Sequence, residues 1–361
     1  MGPRETRGRY DGAGLWPRMR SLLLARRLRQ RQRRALAAVA GLLFLAVVVA
    51  ANQPASGSGA HQEARPAAAR TVARLAPTPA PPTPVPLLKV LHQHIAWSDD
   101  SAQYGGAPGV HADTGILVDI DTGSILWERK PHQPHAPAST TKVLSSLVAL
   151  ENFAADRMVT ITPDALHQAG DETVMGLKAG QQLSVEELLD GMLTVSANDA
   201  ATAMAVDTVG MDGFVATMNK QVEALGLRDS HFVTSVGLDD PDQLASAYDL
   251  AAIASVDMTR FPLFRQIVSQ TEISLPQTQT HPAFDLVNLN RLLRIYPAAV
   301  GIKPGYTGDA GACLVGMAVR DGHRLISVLL DSDRLYTDSR DLLDWGFVQE
   351  GLPSQLPTPT P

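Results

Sequence analysis

An α+β fold, an antiparallel sheet with flanking helices and an inserted helical region, is predicted by three features of the sequence. GILVDIDTGSILWERK at 115–130 reads as a hairpin, two apolar runs about a turn. Helix-period segments recur between 138 and 258, and two strongly apolar runs, 311–319 and 324–332, follow. Strands near both ends with helices between them imply one sheet assembled from distant parts of the chain.

Each element has a local reason. ILVDI and SILWE read as strands, joined at Asp121-Thr122-Gly123. ASTTKVLSSLVALENF (138–153) carries small or apolar residues along one helical side. Residues 183–208 hold two helical segments, and Ser184 followed by Glu187 predicts a capping box at the first. MNKQVEALGL (218–227) is a short helix ending near Gly226, and SAYDLAAIASVDM (246–258) is another. GACLVGMAV and RLISVLLDS are the apolar strands, with a turn at Arg320-Asp321-Gly322. SRDLLDWGF (339–347) closes the domain as a helix stopped by Gly346.

The 361 residues fit one or two domains. The net charge of −6 hides an asymmetry. Residues 1–34 hold eleven arginines against Glu5 and Asp11, near +9, which leaves the rest near −15. The next seventeen residues, ALAAVAGLLFLAVVVAA (35–51), are apolar and uncharged. A buried core helix is one reading of that run; the arginines before it and the Pro/Ala-rich stretch after it favour a membrane anchor. The expected organisation is a basic cytoplasmic segment (1–34), a transmembrane signal anchor (35–51), a Pro/Ala-rich linker (52–89), a folded domain (90–350) and a disordered tail (351–361). The expected localisation is the cell membrane, single-pass, with the folded domain outside. Cleavage near Ala51 is the alternative to a retained anchor. A nucleic-acid partner is excluded, because the basic residues lie on the other side of the anchor from an acidic domain. The single cysteine, Cys313, permits no internal disulfide and reads as a packed side chain. No metal-ligand spacing occurs, so neither metal nor cofactor is expected.

Three motifs carry candidate chemistry. Ser139-Thr140-Thr141-Lys142 puts a serine and a lysine three apart at a helix start, on one face with Cβ atoms roughly 5–6 Å apart. A serine hydroxyl needs a nearby base, and lysine serves once burial or neighbouring charge removes its proton. Ser196-Ala197-Asn198 offers a hydroxyl able to relay a proton and an amide able to hold a peptide group. It reads equally as a helix cap. Lys303-Pro304-Gly305-Tyr306-Thr307 offers a cation for a carboxylate and a glycine permitting close backbone approach, or else a plain Pro-Gly turn.

Together, in this order, the motifs resemble the penicillin-interacting serine enzymes. ILVDIDTGSILWE, APASTTK, SANDAATAMA, FVATMNKQVEALGLRDSHF, SAYDLA, GIKPGYT and LLDWGF extend the likeness over roughly 100–348. The sequence is similar to the D-alanyl-D-alanine carboxypeptidase family of low-molecular-mass penicillin-binding proteins, serine peptidase family S11. The resemblance implies a β-lactamase/transpeptidase-like fold. It implies removal of the terminal D-alanine from peptidoglycan stem peptides, with β-lactam antibiotics as covalent inhibitors. Ser139 matches the nucleophile, Lys142 its base and Ser196 the shuttle hydroxyl. Asn198, Lys303, Gly305, Tyr306 and Thr307 match the substrate-binding positions, with the backbone N–H groups of Ser139 and Tyr306 as oxyanion hole. Two departures stand out. Lys303-Pro304-Gly305 replaces the family's Lys-Thr-Gly, removing a hydroxyl and a backbone N–H. Thr234-Ser235-Val236-Gly237 stands where Asn-Pro-His-Gly is frequent. The alternatives on the same fold are a catalytically impaired wall-binding module, a D,D-endopeptidase and a β-lactamase.

Overall fold

The computed structural model describes residues 95–166 and 172–356, all within one unit, Ala80–Pro361. Its strands are β1 (Ser98–Asp99), β2 (Ala112–Asp119), β3 (Ser124–Arg129), β4 (Met158–Thr160), β5 (Gln182–Ser184), β6 (Glu272–Leu275), β7 (Phe284–Val287), β8 (Ala299–Thr307), β9 (Gly311–Arg320) and β10 (His323–Ser332). Six of them form the main sheet in the order β1-β3-β2-β10-β9-β8, with β4-β5 and β6-β7 as separate two-stranded sheets. Only β1 and β3 pair in parallel; the other neighbours of the main sheet are antiparallel. The N-terminal hairpin meets the C-terminal strands through β2 and β10, with Ile116 opposite Val328.

The inner strands are apolar on both faces. Ile116, Val118, Val315, Met317, Ile326 and Val328 join the core on one side. Their alternates Leu117, Leu314, Ala318, Leu325 and Leu329 join a second core on the other, as a period-2 pattern requires.

The helices are α1 (Lys142–Asn152), α2 (Val185–Thr194), α3 (Asn198–Val209), α4 (Met211–Ala224), α5 (Ala247–Arg260), α6 (Pro262–Ser269), α7 (Leu292–Ile295) and α8 (Leu335–Gln349). Helix α8 covers the second core through Leu342, Leu343 and Phe347. Helices α1 to α6 contribute to the first. In α1, every residue from Lys142 to Ala149 is buried, so its first residue is held at the centre of the domain. Ser184 and Glu187 form the expected capping box at the start of α2.

Residues 351–356, read from sequence as the start of a disordered tail, are bonded to the domain. Arg320 Nη2 donates to the Pro353 carbonyl at 2.7 Å, and Gln355 N–H donates to Asp344 at 2.9 Å.

The expected membrane anchor is corrected. No helix of the described residues is long and apolar enough to cross a membrane. The longest, α8, has 15 residues and at ~1.5 Å per residue falls short of a hydrocarbon core ~30 Å thick. Segment 35–51 lies outside the described residues, as do 1–34 and the whole linker, 52–89. A transmembrane helix, a membrane partner and a single-pass localisation are therefore unsupported.

Candidate active site

Ser139 lies in a single 3-10 turn, Ala138–Thr141, that runs directly into α1. Its hydroxyl oxygen is 2.9 Å from Lys142 Nζ. The lysine is fully buried and has two further partners, Asn198 Oδ1 at 2.7 Å and the Val236 carbonyl at 3.1 Å. Both of these oxygens only accept hydrogen bonds, whereas Ser139 Oγ can also donate. A neutral Lys142 would keep its two N–H bonds to Asn198 and Val236 and turn its lone pair to the serine hydroxyl.

Burial pushes the Lys142 ammonium well below its usual range, and the Lys303 cation adds to this; Glu172 and Asp199 pull the other way. Lys303 is also fully buried, and burial lowers it to about 7. Its Nζ donates to the Pro304 carbonyl at 2.9 Å. Among the described residues, that is the one hydrogen bond of this ammonium, which leaves two donors for a ligand.

Ser196 sits in the turn between α2 and α3, 6% exposed and with φ +61°. That left-handed conformation is costly for a residue with a Cβ. The bonds that hold Lys142 do not include Ser196. Asn198 opens α3 and is fixed from three directions. Its N–H donates to the Thr173 carbonyl at 2.7 Å, its Nδ2 to Glu172 at 2.6 Å, and its Oδ1 accepts from Lys142.

Lys303, Gly305, Tyr306 and Thr307 all lie on β8, an edge strand of the sheet. One side of an edge strand carries backbone groups that the sheet leaves unpaired. At Gly305 a Cβ would stand 2.8 Å from Ser139 N and 3.0 Å from Thr140 N. The glycine thus lets β8 lie directly against the serine and leaves the Ser139 amide uncovered. Tyr306 is 75% exposed. Thr307 Oγ1 accepts from Ala310 N–H at 3.1 Å, which ties its oxygen into the β8–β9 turn. Cys313 is buried behind this strand, and burial raises its thiol to about 12.

The structure adds three groups that the sequence reading passed over. Asp199, 2% exposed, accepts the backbone N–H groups of Met175, Gly176 and Leu177 at 2.9–3.0 Å. It thereby anchors the irregular stretch that carries Glu172 to Asn198. The third is the Val236 carbonyl. Ser145 Oγ donates to the Ser235 carbonyl at 2.6 Å, and Gln243 receives the N–H groups of Val233 and Thr234 at 2.7 and 3.0 Å. Gly237 follows with φ +85°, and a Cβ there would meet the Ala138 carbonyl. This segment serves Lys142 through its backbone, so its departure from the usual side chains does not remove the contact.

A six-stranded sheet with an inserted helical region, and a half-buried serine bonded to a fully buried lysine, define the class of penicillin-interacting serine enzymes. The D-alanyl-D-alanine carboxypeptidase family model matches residues 101–334, and the chain belongs to that family, S11. It is 36% identical over 262 residues to D-alanyl-D-alanine carboxypeptidase DacB2 of Mycobacterium tuberculosis, covering 70% of this chain and 88% of that protein. It is 34% identical over 224 residues to DacF of Bacillus subtilis, covering 60% of this chain and 57% of that protein. The chain thus spans little more than half of that longer relative. The crystal structure of a D-alanyl-D-alanine carboxypeptidase from M. tuberculosis matches with TM-score 0.64 and 34% identity, over 70% of this chain and 96% of that one. The Streptomyces K15 DD-transpeptidase matches with TM-score 0.64 and 27% identity, over 68% of this chain and 100% of that one. Fold and family make the chain a serine-type enzyme of D-Ala-D-Ala carboxypeptidase or transpeptidase chemistry.

Proposed function

We propose that the chain is a D-Ala-D-Ala carboxypeptidase that removes the terminal D-alanine from peptidoglycan pentapeptide stems through an acyl-enzyme on Ser139. The observation that carries this reading is the 2.9 Å contact of Ser139 Oγ with a fully buried Lys142. The named carboxypeptidases among its relatives support hydrolysis over transfer.

In this mechanism neutral Lys142 takes the Ser139 hydroxyl proton as Oγ attacks the carbonyl between the last two D-alanines. The backbone N–H groups of Ser139 and Tyr306 hold the oxyanion. Lys303 binds the terminal carboxylate, Asn198 the peptide amide, and Gly305 and Thr307 border the substrate strand. Ser196 passes a proton to the leaving amine. Water then attacks the acyl-enzyme and restores Ser139. β-Lactams enter by the same first step.

The test incubates the protein with diacetyl-Lys-D-Ala-D-Ala and, in parallel, with a penicillin, following free D-alanine and intact protein mass. Catalytic release of D-alanine with a penicillin adduct on Ser139, absent in Ser139→Ala, is the expected result. D-alanine release only in the presence of an added amine, with the acyl group recovered on that amine and not as the free acid, would replace carboxypeptidase by transpeptidase. Labelling that persists in Ser139→Ala would remove the nucleophile assignment.

A further inference from the structure

A second concave site has a lining that includes none of Ser139, Lys142, Ser196, Asn198 or Lys303. The start of α2, strand β4 and the β6–β7 hairpin border a cavity of about 540 Å³. Asp156, Glu186, Glu187 and Asp190 line it with four carboxyl groups. Glu187 is already engaged, bonded to the Ser184 backbone at 2.7 Å and to His281 Nε2 at 3.1 Å. Asp190 is different. Its side chain has no hydrogen-bond or ion-pair partner among the described residues, yet the residue is only 7% exposed. A buried carboxylate is expensive unless something pairs with it. Met158 and Leu275 add apolar surface to the same lining.

We propose that this cavity binds an organic cation, a primary ammonium on an apolar stem, with Asp190 as its buried counter-ion. The shape of the donor set favours such a cation over a metal ion. Among the described residues, the His and carboxylate groups close enough to share one ion lie elsewhere, at Asp113, His135 and Asp331 and at Asp119, His323 and Glu350. An ammonium needs no such convergence. It donates to one carboxylate at a time while its alkyl stem packs on Met158 and Leu275. Glu186 and Glu187 stand in the first turn of α2, where the helix dipole favours their anionic forms, so the mouth of the cavity attracts positive charge. Burial, and then Glu186 and Glu187, raise the Asp190 carboxyl to about 7; a bound ammonium would offset both causes.

Two sources present this chemistry, a free diamine and the side chain of a lysine in a peptide. Calorimetric titration of the full chain with 1,5-diaminopentane and with Nα-acetyl-lysine amide separates them. Saturable binding of either probe is expected, weakened about tenfold or more in Asp190→Asn, which keeps the side-chain shape. Tighter binding of the lysine amide assigns the site to peptides; equal or tighter binding of the diamine assigns it to free amines. Glu186→Gln, at a partly exposed position, should weaken binding less and serves if Asp190→Asn fails to fold. Penicillin acylation of Ser139, followed in the same samples, should not change with either substitution. No binding at millimolar probe, or equal binding by wild type and both variants, overturns the proposal. Because acylation is read separately, that failure is distinct from failure of the Ser139 assignment.

Discussion

Lys142 Nζ and Ser139 Oγ lie 2.9 Å apart, with the lysine buried and pressed toward its neutral form by burial and by Lys303. A lysine so placed can act as a base at pH values where a solvated lysine cannot. Acylation by penicillin should therefore rise with pH through an apparent pKa well below the ordinary lysine value of 10.5 and then level off. Lys142→Arg, which keeps the charge and cannot lose it, should slow acylation by roughly 10²–10⁴-fold. The linkage has a definite sign. Between the depressed folded pKa and 10.5 the unfolded chain holds more protons, so stability rises with pH in that window and is lost as pH falls through the folded pKa. A pH-independent acylation rate, with Lys142→Arg still active, would exclude lysine as the base.

Lys303 gives the opposite dependence for ligand binding. Its free ammonium titrates at about 7, and a bound carboxylate would stabilise the charged form and raise that value. Affinity for a D-Ala-D-Ala peptide, measured on Ser139→Ala to prevent turnover, should be highest below pH 7 and decline above it, by at most about tenfold per unit. Lys303→Met should bind weakly at every pH and lose the dependence. An affinity indifferent to pH in the wild-type background would separate Lys303 from the substrate carboxylate.

Gly305 tests how closely β8 must approach Ser139. An alanine Cβ would meet Ser139 N at 2.8 Å and Thr140 N at 3.0 Å. Both are backbone atoms at the start of a buried helix and cannot rotate aside. Gly305→Ala should destabilise the domain by about 1–3 kcal/mol and slow acylation further than that loss explains, because the Ser139 amide is displaced or covered. Thermal unfolding and acylation kinetics on the same sample separate the two effects. Wild-type acylation by a folded Gly305→Ala would show that the close approach is unnecessary.

The parts of this fold that were legible are those with strong periodicity. The hairpin at 115–130, the strands near 311–319 and 324–332 and the capping box at Ser184 and Glu187 all follow from local pattern. Strand β8 did not read as a strand, because Gly301, Pro304 and Gly305 lower its β propensity; an edge position tolerates them. The start of α4 at Met211 was missed for a similar reason, since Gly210 and Gly213 obscure the helical period. Within the site, spacing points to Ser139 and Lys142. No spacing reveals the Glu172 carboxylate or the Val236 carbonyl, which reach Asn198 and Lys142 by tertiary contact across 26 and 94 residues. Asp199 offered one faint signal, an acid immediately after Asn198 in the first turn of a helix. Its partners are backbone N–H groups of a stretch without any pattern of its own.

Pro304 is where this chain departs most from its family's motif, and its surroundings show what the departure removes. It lies on β8 opposite Leu314, directly after Lys303, whose Nζ bonds to the Pro304 carbonyl. A threonine here would present a hydroxyl beside that ammonium. Thr307 is a poor substitute, because its oxygen already accepts from Ala310 N–H and it lies at the β8–β9 turn. One charge-assisted hydrogen bond to a ligand carboxylate contributes about 1.5–3 kcal/mol. Pro304→Thr should therefore raise the second-order rate of penicillin acylation roughly 10–100-fold. Pro304→Ala is the necessary partner, since it restores the backbone N–H without the hydroxyl. Threonine faster than alanine assigns the gain to the hydroxyl, and equal rates assign it to the backbone. If neither variant exceeds the wild type, the proline costs this enzyme nothing and Lys303 alone suffices to hold the carboxylate.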